Sequence, residues 1–326
     1  MYSIAVSKAA EVSRFHDVTA LEALDISLMS CHMCQMAPRD LRGRAAYGLP
    51  VDGKSSPWER SRKVDIVVLL KQVPDTETLI QIAPDHTSIK TEDVKWVINP
   101  YDEFAVEEAL RIKETQGGGK VTIVTMGPER AVEAIRTALA MGADEGLLID
   151  DPAAEGGDAL GTAKMLAAAI REVPYDVIVA GHRAVDDDCY QVPAAVAALL
   201  GIPQVSMVIK EQIQEKKILC ECTMEGGTLV VETELPALFT TQKGLNEPRY
   251  ASLPGIMKAK KKPLARKTLA DLGINPADVG EAGTKCRVMN LSFPPERSPG
   301  RVIDGESPEA KAAELVRLLR HEAKVI

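Results

Sequence analysis

The chain has 326 residues, of which 45% are hydrophobic, enough for one large domain or two modest ones with a real core. A formal net charge of -8 excludes a general nucleic-acid binder, because phosphate contacts need a basic face. Aromatics at 4% leave few rings to stack bases or to wall in a large cofactor.

Residues 1–63 read as a leader or linker: apolar periodicity is weak, and Gly48 to Arg62 is rich in Gly, Pro, Ser and charge. Cys31-His32-Met33-Cys34 forms a CxxC, but it lacks a second ligand pair and a βαβ context, so it carries no metal or redox assignment. The other cysteines, Cys189, Cys220, Cys222 and Cys286, have no spacing that staples a small secreted domain and read as reduced thiols. No stretch approaches the roughly 20 apolar residues of a membrane span, and the N-terminus lacks an apolar signal core. The expectation is a cytoplasmic protein that is not integral to a membrane.

From Val64 the pattern is α/β. Val64 to Leu70, Val121 to Met126, Gly146 to Ile149 and Asp176 to Ala180 are short apolar runs suited to buried parallel strands. Between them lie helical patterns over Asp102 to Thr115, Pro128 to Met141, with Gly142 as stop, and Asp158 to Arg171. This alternation predicts a doubly wound, mostly parallel, Rossmann-like sheet. Leu79 to Lys90 reads as an antiparallel hairpin around Pro84-Asp85-His86. After Gly201 strands dominate: Val205 to Lys210, Ile218 to Cys222, Leu229 to Glu232 and Ala237 to Thr241. Residues 273–326 read as an arm that closes with a helix from Ser307-Pro308 to Ala323. Its stripe of Ala312, Leu315, Val316 and Leu319 either packs on this chain's own sheet or meets another subunit.

The strongest local constellation is Gly181-His182-Arg183-Ala184-Val185-Asp186-Asp187-Asp188-Cys189-Tyr190-Gln191-Val192-Pro193, between a buried strand and a helix over Ala194 to Leu200. A strand end feeding a helix N-terminus is where α/β sheets bind nucleotides, with backbone N–H groups and the helix dipole holding phosphate. The competing reading is a plain capped turn whose three aspartates satisfy the helix dipole. Leu69, Met126 and the helix start Asn99-Pro100-Tyr101-Asp102 are expected on the same rim, against a simpler reading as core and cap. His86, His182 and His321 are isolated, so metal and acyl-transfer chemistry are not expected. A second unusual segment runs from Leu245-Asn246-Glu247-Pro248-Arg249-Tyr250 through Leu253-Pro254-Gly255-Ile256-Met257-Lys258 to Lys262-Pro263. Two prolines and a glycine imply a loop there, with apolar side chains offered beside lysines as a docking surface.

That segment closely resembles the signature of the β (small) subunit of electron-transfer flavoproteins, and nearly everything from Val64 onward is similar to that family. The resemblance implies an α/β domain over 64–272 and a C-terminal arm over 273–326 that packs on an α subunit. It also implies FAD held mainly by that α subunit, docking of an acyl-CoA or related dehydrogenase, and delivery of electrons to a quinone-linked or other acceptor. As a carrier the chain would have no catalytic acid or base of its own. The family's AMP-binding members carry three consecutive aspartates followed by cysteine, as at Asp186, Asp187, Asp188 and Cys189. Bifurcating members bind a second FAD and carry Asp-Gly-Asp-Thr-Ala-Gln-Val-Gly there, so Asp187 stands for a glycine, Cys189 for the threonine and Pro193 for the later glycine. AMP is therefore expected ahead of a second FAD, because an extra carboxylate beside a pyrophosphate is unfavourable and cysteine is a poorer donor than threonine. Gln191-Val192-Pro193 and the opening Lys71-Gln72-Val73-Pro74-Asp75 resemble the bifurcating group and keep FAD as the second choice.

By resemblance the nucleotide is held by Leu69, Asn99, Pro100, Tyr101, Asp102, Met126, Gly181, Asp186 to Asp188, Cys189, Tyr190, Gln191 and Val192. The partner loop is Arg249, Tyr250, Leu253, Pro254, Ile256, Met257 and Lys258. Because such subunits usually begin where Val64 stands, that residue is expected to mark the true start: GTG initiates, and Trp58-Glu59 implies a purine-rich, ribosome-site-like string before it. An alternative of another class is a nucleotide-binding or nucleotide-sensing domain without electron transfer, which would share the 181–193 loop but not the docking segment. An adaptor for acidic partners would use Lys258 to Lys262 alone.

Overall fold

In a computed structural model the described residues are 63–296 and 299–326. The readings of residues 1–62, including the CxxC at Cys31 and Cys34, lie outside them. In chain order the elements are β1 (Ile66–Leu69), β2 (Gln72–Pro74), β3 (Trp96–Ile98), α1 (Pro100–Thr115), β4 (Val121–Met126), α2 (Val132–Met141), β5 (Glu145–Ile149), α3 (Ala159–Ile170), β6 (Val177–Gly181) and α4 (Val192–Leu200). There follow β7 (Gln204–Gln214), β8 (Lys217–Met224), β9 (Gly227–Glu234), β10 (Ala237–Thr241), α5 (Leu253–Ala259), β11 (Leu264–Lys267), α6 (Gly280–Gly283) and α7 (Pro308–His321).

A mostly parallel nine-stranded sheet carries the larger of two units, which takes residues 63–80 and 90–287. Its order is β11-β5-β4-β1-β6-β10-β7-β8-β9; every neighbouring pair is parallel until β7, after which β8 and β9 add antiparallel. The continuous apolar runs follow from burial on both faces. Ile66 and Val68 pack with Val106, Ala109 and Ile135 of α1 and α2, whereas Val67, Ile178 and Leu238 pack with Met165, Ile170 and Val196 of α3 and α4. Each such side chain stabilises the fold by roughly 1.5–3 kcal/mol relative to exposure. The chain leaves β1 to build one half of the sheet through β4 and β5, then returns to β6 on the other side of β1. The reversal makes β1 and β6 the switch point, whose crevice lies at their carboxyl ends.

The doubly wound core follows the expected pattern, and four features depart from it. The docking segment is not a loop: Leu253–Ala259 is helical, with Ser252 as N-cap, its side chain accepting from the Gly255 N–H at 3.1 Å. Pro254 falls in the first turn, where its missing N–H costs nothing, so a proline there does not forbid a helix. Gly255 permits the approach to α2, since a Cβ on it would lie 2.4 Å from the Ala140 carbonyl oxygen. The expected hairpin at Leu79 to Lys90 is reduced to one antiparallel bridge, Ile82 with Ile89; Asp85 holds the turn by accepting from Thr87 and Ser88. Neither the β2–β3 pair nor the edge strand β11 was signalled, each being only three or four residues long.

Residues 273–287 belong to the large unit, where Val279 is fully buried with Leu269. The smaller unit comprises 81–89 and the described residues from 288 onward. In it α7 is capped by Ser307, which accepts from the Ala310 N–H at 3.2 Å. Leu318 is buried, while Ala312, Leu315 and Val316 of the expected stripe are exposed. No helix among the described residues is long and apolar enough to cross a membrane.

Candidate functional site

At the carboxyl ends of β1 and β6 a buried polar lattice ties the crevice together. Asp102, two residues into α1, does not cap its own helix through its side chain. One carboxylate oxygen accepts from the Lys71 N–H at 2.7 Å just beyond β1, and the other from the Gly181 N–H at 3.0 Å at the end of β6. Burial pushes its carboxyl up to about 7, against the pull of the Lys71, Asn99 and Gly181 hydrogen bonds. Glycine at 181 is required by this approach, because a Cβ there would lie 2.3 Å from the Asp102 carboxylate and 2.8 Å from the Tyr101 Cβ.

Asn99 holds the loop that follows β6. Its side-chain amide donates to the Arg183 carbonyl at 2.8 Å and accepts from the Val185 N–H at 3.2 Å. It sits at the N-cap position of α1 without a side-chain cap, so the capping role expected of 99–102 gives way to cross-linking of two strand ends. Pro100 opens α1, as its fixed φ allows.

The three aspartates are spent on cations. Lys71 Nζ lies 2.8 Å from Asp186 and 3.0 Å from Asp187, while Arg183 meets both Asp188 oxygens at 2.8 Å and donates to the Tyr101 hydroxyl at 2.7 Å. Burial lowers the Lys71 pKa, but the two aspartates outweigh it and hold the ammonium above its ordinary value. Asp187 also accepts from the Cys189 N–H at 3.1 Å. Burial, then the Asp187 charge, raises the Cys189 thiol. Asp188 and Tyr190 both adopt positive φ, 54° and 57°, which costs roughly 1–2 kcal/mol each for such residues. The aspartates therefore do not cap α4: Gln191 at its N-cap position makes no side-chain cap, Val192 is its first residue, and Pro193 lies in the first turn.

An aromatic wall stands beside this loop. His182 and Tyr101 meet edge-on at 4.2 Å between ring centroids, Tyr190 lies 5.5 Å from His182, and the Arg183 guanidinium is 5.0 Å and 5.6 Å from the two tyrosine rings. His182 Nδ1 bonds the Thr241 carbonyl at 3.0 Å, and burial followed by the Arg183 charge lowers its pKa against that bond. Leu69 is core, and Met126 is half-buried at the end of β4 beside Thr125, whose buried hydroxyl has no hydrogen-bond partner. Sequence reasoning placed His182 and Arg183 in the loop without a role and did not assign Lys71 or Thr241 to this site. Their signal was position: Lys71 directly follows the first strand's apolar run, and His182 and Arg183 directly follow β6.

The docking segment is separate from the crevice. Arg249 meets Glu107 at 2.8 and 3.0 Å and Glu114 at 2.6 and 3.1 Å, and Asn246 donates to the Phe104 carbonyl and to Glu108, all from α1. Arg136 and Lys262 tie the far end of α5 to α2 through the Ala259, Lys262, Leu139 and Ala143 carbonyls. On this anchored frame Tyr250 is 98% exposed, Leu253 79% and Met257 73%; Pro254, Ile256 and Lys258 are exposed or nearly so. Side chains of this kind with no cover of their own suit a transient partner surface.

Comparison with known proteins points the same way. Residues 87–272 match the family described as Electron transfer flavoprotein domain. The chain is 41% identical over 269 residues to the Electron transfer flavoprotein subunit beta of Bacillus subtilis, covering 81% of this chain and 100% of that protein. It is 38% identical over 255 residues to the subunit of the same description from Bos taurus, covering 77% and 98%. The Caffeyl-CoA reductase-Etf complex subunit CarD of Acetobacterium woodii is 38% identical over 258 residues, covering 79% and 98%.

Proposed function

Since the chain belongs to the electron transfer flavoprotein subunit beta family, we propose that it works in the cytoplasm as the β half of a heterodimer that takes electrons from acyl-CoA or related dehydrogenases and passes them to a quinone-linked or other acceptor. The redox FAD, held mainly by the α subunit, supplies the electron-carrying chemistry. This chain contributes the docking helix, a structural adenine nucleotide site at the β1–β6 crevice, and an arm over 273–326 for the α subunit. The observation that carries the reading is the apolar face of α5, exposed yet anchored by Arg249 to two glutamates of α1. A segment clamped from behind and bare in front is arranged to be met.

The crevice fits an adenine nucleotide on its own chemistry. The start of α4 has no side-chain cap, the adjacent Tyr190 is half-exposed, and the Thr125 hydroxyl and the Arg183 Nε are buried without partners. AMP is the first choice and a second FAD the alternative, with Asp186 to Val192, Asn99 to Asp102, Leu69, Met126 and Gly181 around it. Lys71 weakens the case against FAD, because it neutralises Asp187, whose charge would otherwise repel a second phosphate.

The test is dehydrogenase-driven reduction of the heterodimer's flavin. Leu253→Ala should slow reduction at sub-saturating dehydrogenase, about 2 kcal/mol of docking energy being lost, while flavin content stays the same. Equal rates for variant and wild type would reject α5 as the docking element.

A further inference from the structure

We propose that Lys71 is the residue that makes the aspartate-rich loop over 182–191 able to receive a nucleotide's phosphate: its ammonium, reaching across the β1–β6 crevice, neutralises Asp186 and Asp187 and holds the loop's backbone N–H groups for the anion. The inference rests on the nucleotide site proposed above. The loop carries Asp186, Asp187 and Asp188, and its own Arg183 is already engaged by both oxygens of Asp188. Lys71 meets the other two at 2.8 and 3.0 Å. With Lys71 the cluster keeps one excess negative charge; without it, two, next to the place where a phosphate has to sit.

The lysine is also fixed where it stands. Its N–H donates to Asp102 at 2.7 Å, and its carbonyl accepts from the Asn99 N–H at 2.9 Å. Those two residues simultaneously hold Gly181, Arg183 and Val185 of the opposite strand end and loop. Backbone position and charge position are therefore set by one lattice. The two neighbouring aspartates hold the ammonium above its ordinary pKa, outweighing the opposing desolvation. The Lys71 and Asp187 side chains are 42% and 46% exposed, so the pair acts through its fixed position and its charge rather than through burial, and salt should weaken it.

The experiment uses the nucleotide-depleted heterodimer of this chain with its α subunit, titrated calorimetrically with AMP, with adenosine and, in parallel, with FAD. AMP and FAD are the two sources of the same phosphate, and adenosine lacks it. Lys71→Met should weaken whichever nucleotide the wild type takes up by about tenfold or more, and adenosine by less than about threefold. Lys71→Arg should restore most of the affinity, as should adding Asp186→Asn and Asp187→Asn to the Lys71→Met chain. Equal losses for nucleotide and adenosine, or no recovery on neutralising the aspartates, would reduce Lys71 to a structural clamp and overturn the proposal. Wild-type uptake of nucleotide with Lys71→Met unchanged overturns it alone. A wild type that takes up neither nucleotide overturns the site itself and the proposal with it.

Discussion

Glu211 on β7 is a half-buried carboxyl beside Glu108 of α1. Burial first, then the charge and hydrogen bond of Glu108 on α1, push its carboxyl up to about 8, with Arg111 opposing. In the unfolded chain it would titrate near its ordinary 4.5. A raised carboxyl favours the folded state fully below about 4.5, and that contribution drains away as pH rises until it is lost above about 8. Glu211→Gln removes the titration. On moving from pH 6 to pH 9 in urea, the variant should gain roughly 2–3 kcal/mol relative to wild type. Parallel stability curves across that interval would show that Glu211 ionises normally.

At the level of elements, α5 depends on α1 for its place. Glu107 is 7% exposed, and Arg249 is its ion-pair partner in the docking segment. Removing Arg249 leaves a buried carboxylate unpaired, so Arg249→Ala should cost about 2 kcal/mol or more and speed amide exchange across Leu253 to Ala259 before other helices. Exchange that is unchanged there, or accelerated uniformly, would mean that α5 is held chiefly by Arg136 and Lys262 on α2.

The same elements show what the chain disclosed on reading. The strand β1 stood out by its apolar run, β4, β5 and β6 by short β-branched runs, and β10 as part of the strand-rich region after Gly201. Helix α5 was hidden because proline and glycine were read as breakers, although Pro254 sits in the first turn and Gly255 lies against α2. At the crevice, the 181–193 loop was visible from strand-to-helix punctuation, whereas Asp102 entered through the resemblance and read on its own as a helix cap. The roles of Lys71 and Asn99 were not visible, because they arise from pairing between β1 and β6, which are more than a hundred residues apart in sequence. The resemblance contributed the nucleotide and the partner, which no local pattern specifies.

At the scale of the molecule, the arm exposes several apolar side chains. Leu315 and Val316 on α7, and Val302 in the arm, are apolar and exposed. On the proposed reading, these side chains are where the arm would meet the α partner. The central claim is a β subunit holding a structural nucleotide beside a redox flavin held by its partner. The direct measurement is the nucleotide content of the heterodimer purified after co-expression with the α subunit, released by denaturation and identified. One FAD and one AMP per heterodimer is the predicted result. Two FAD without AMP would replace AMP with the bifurcating alternative, and a stable flavin-free monomer that recruits no α subunit would contradict the account.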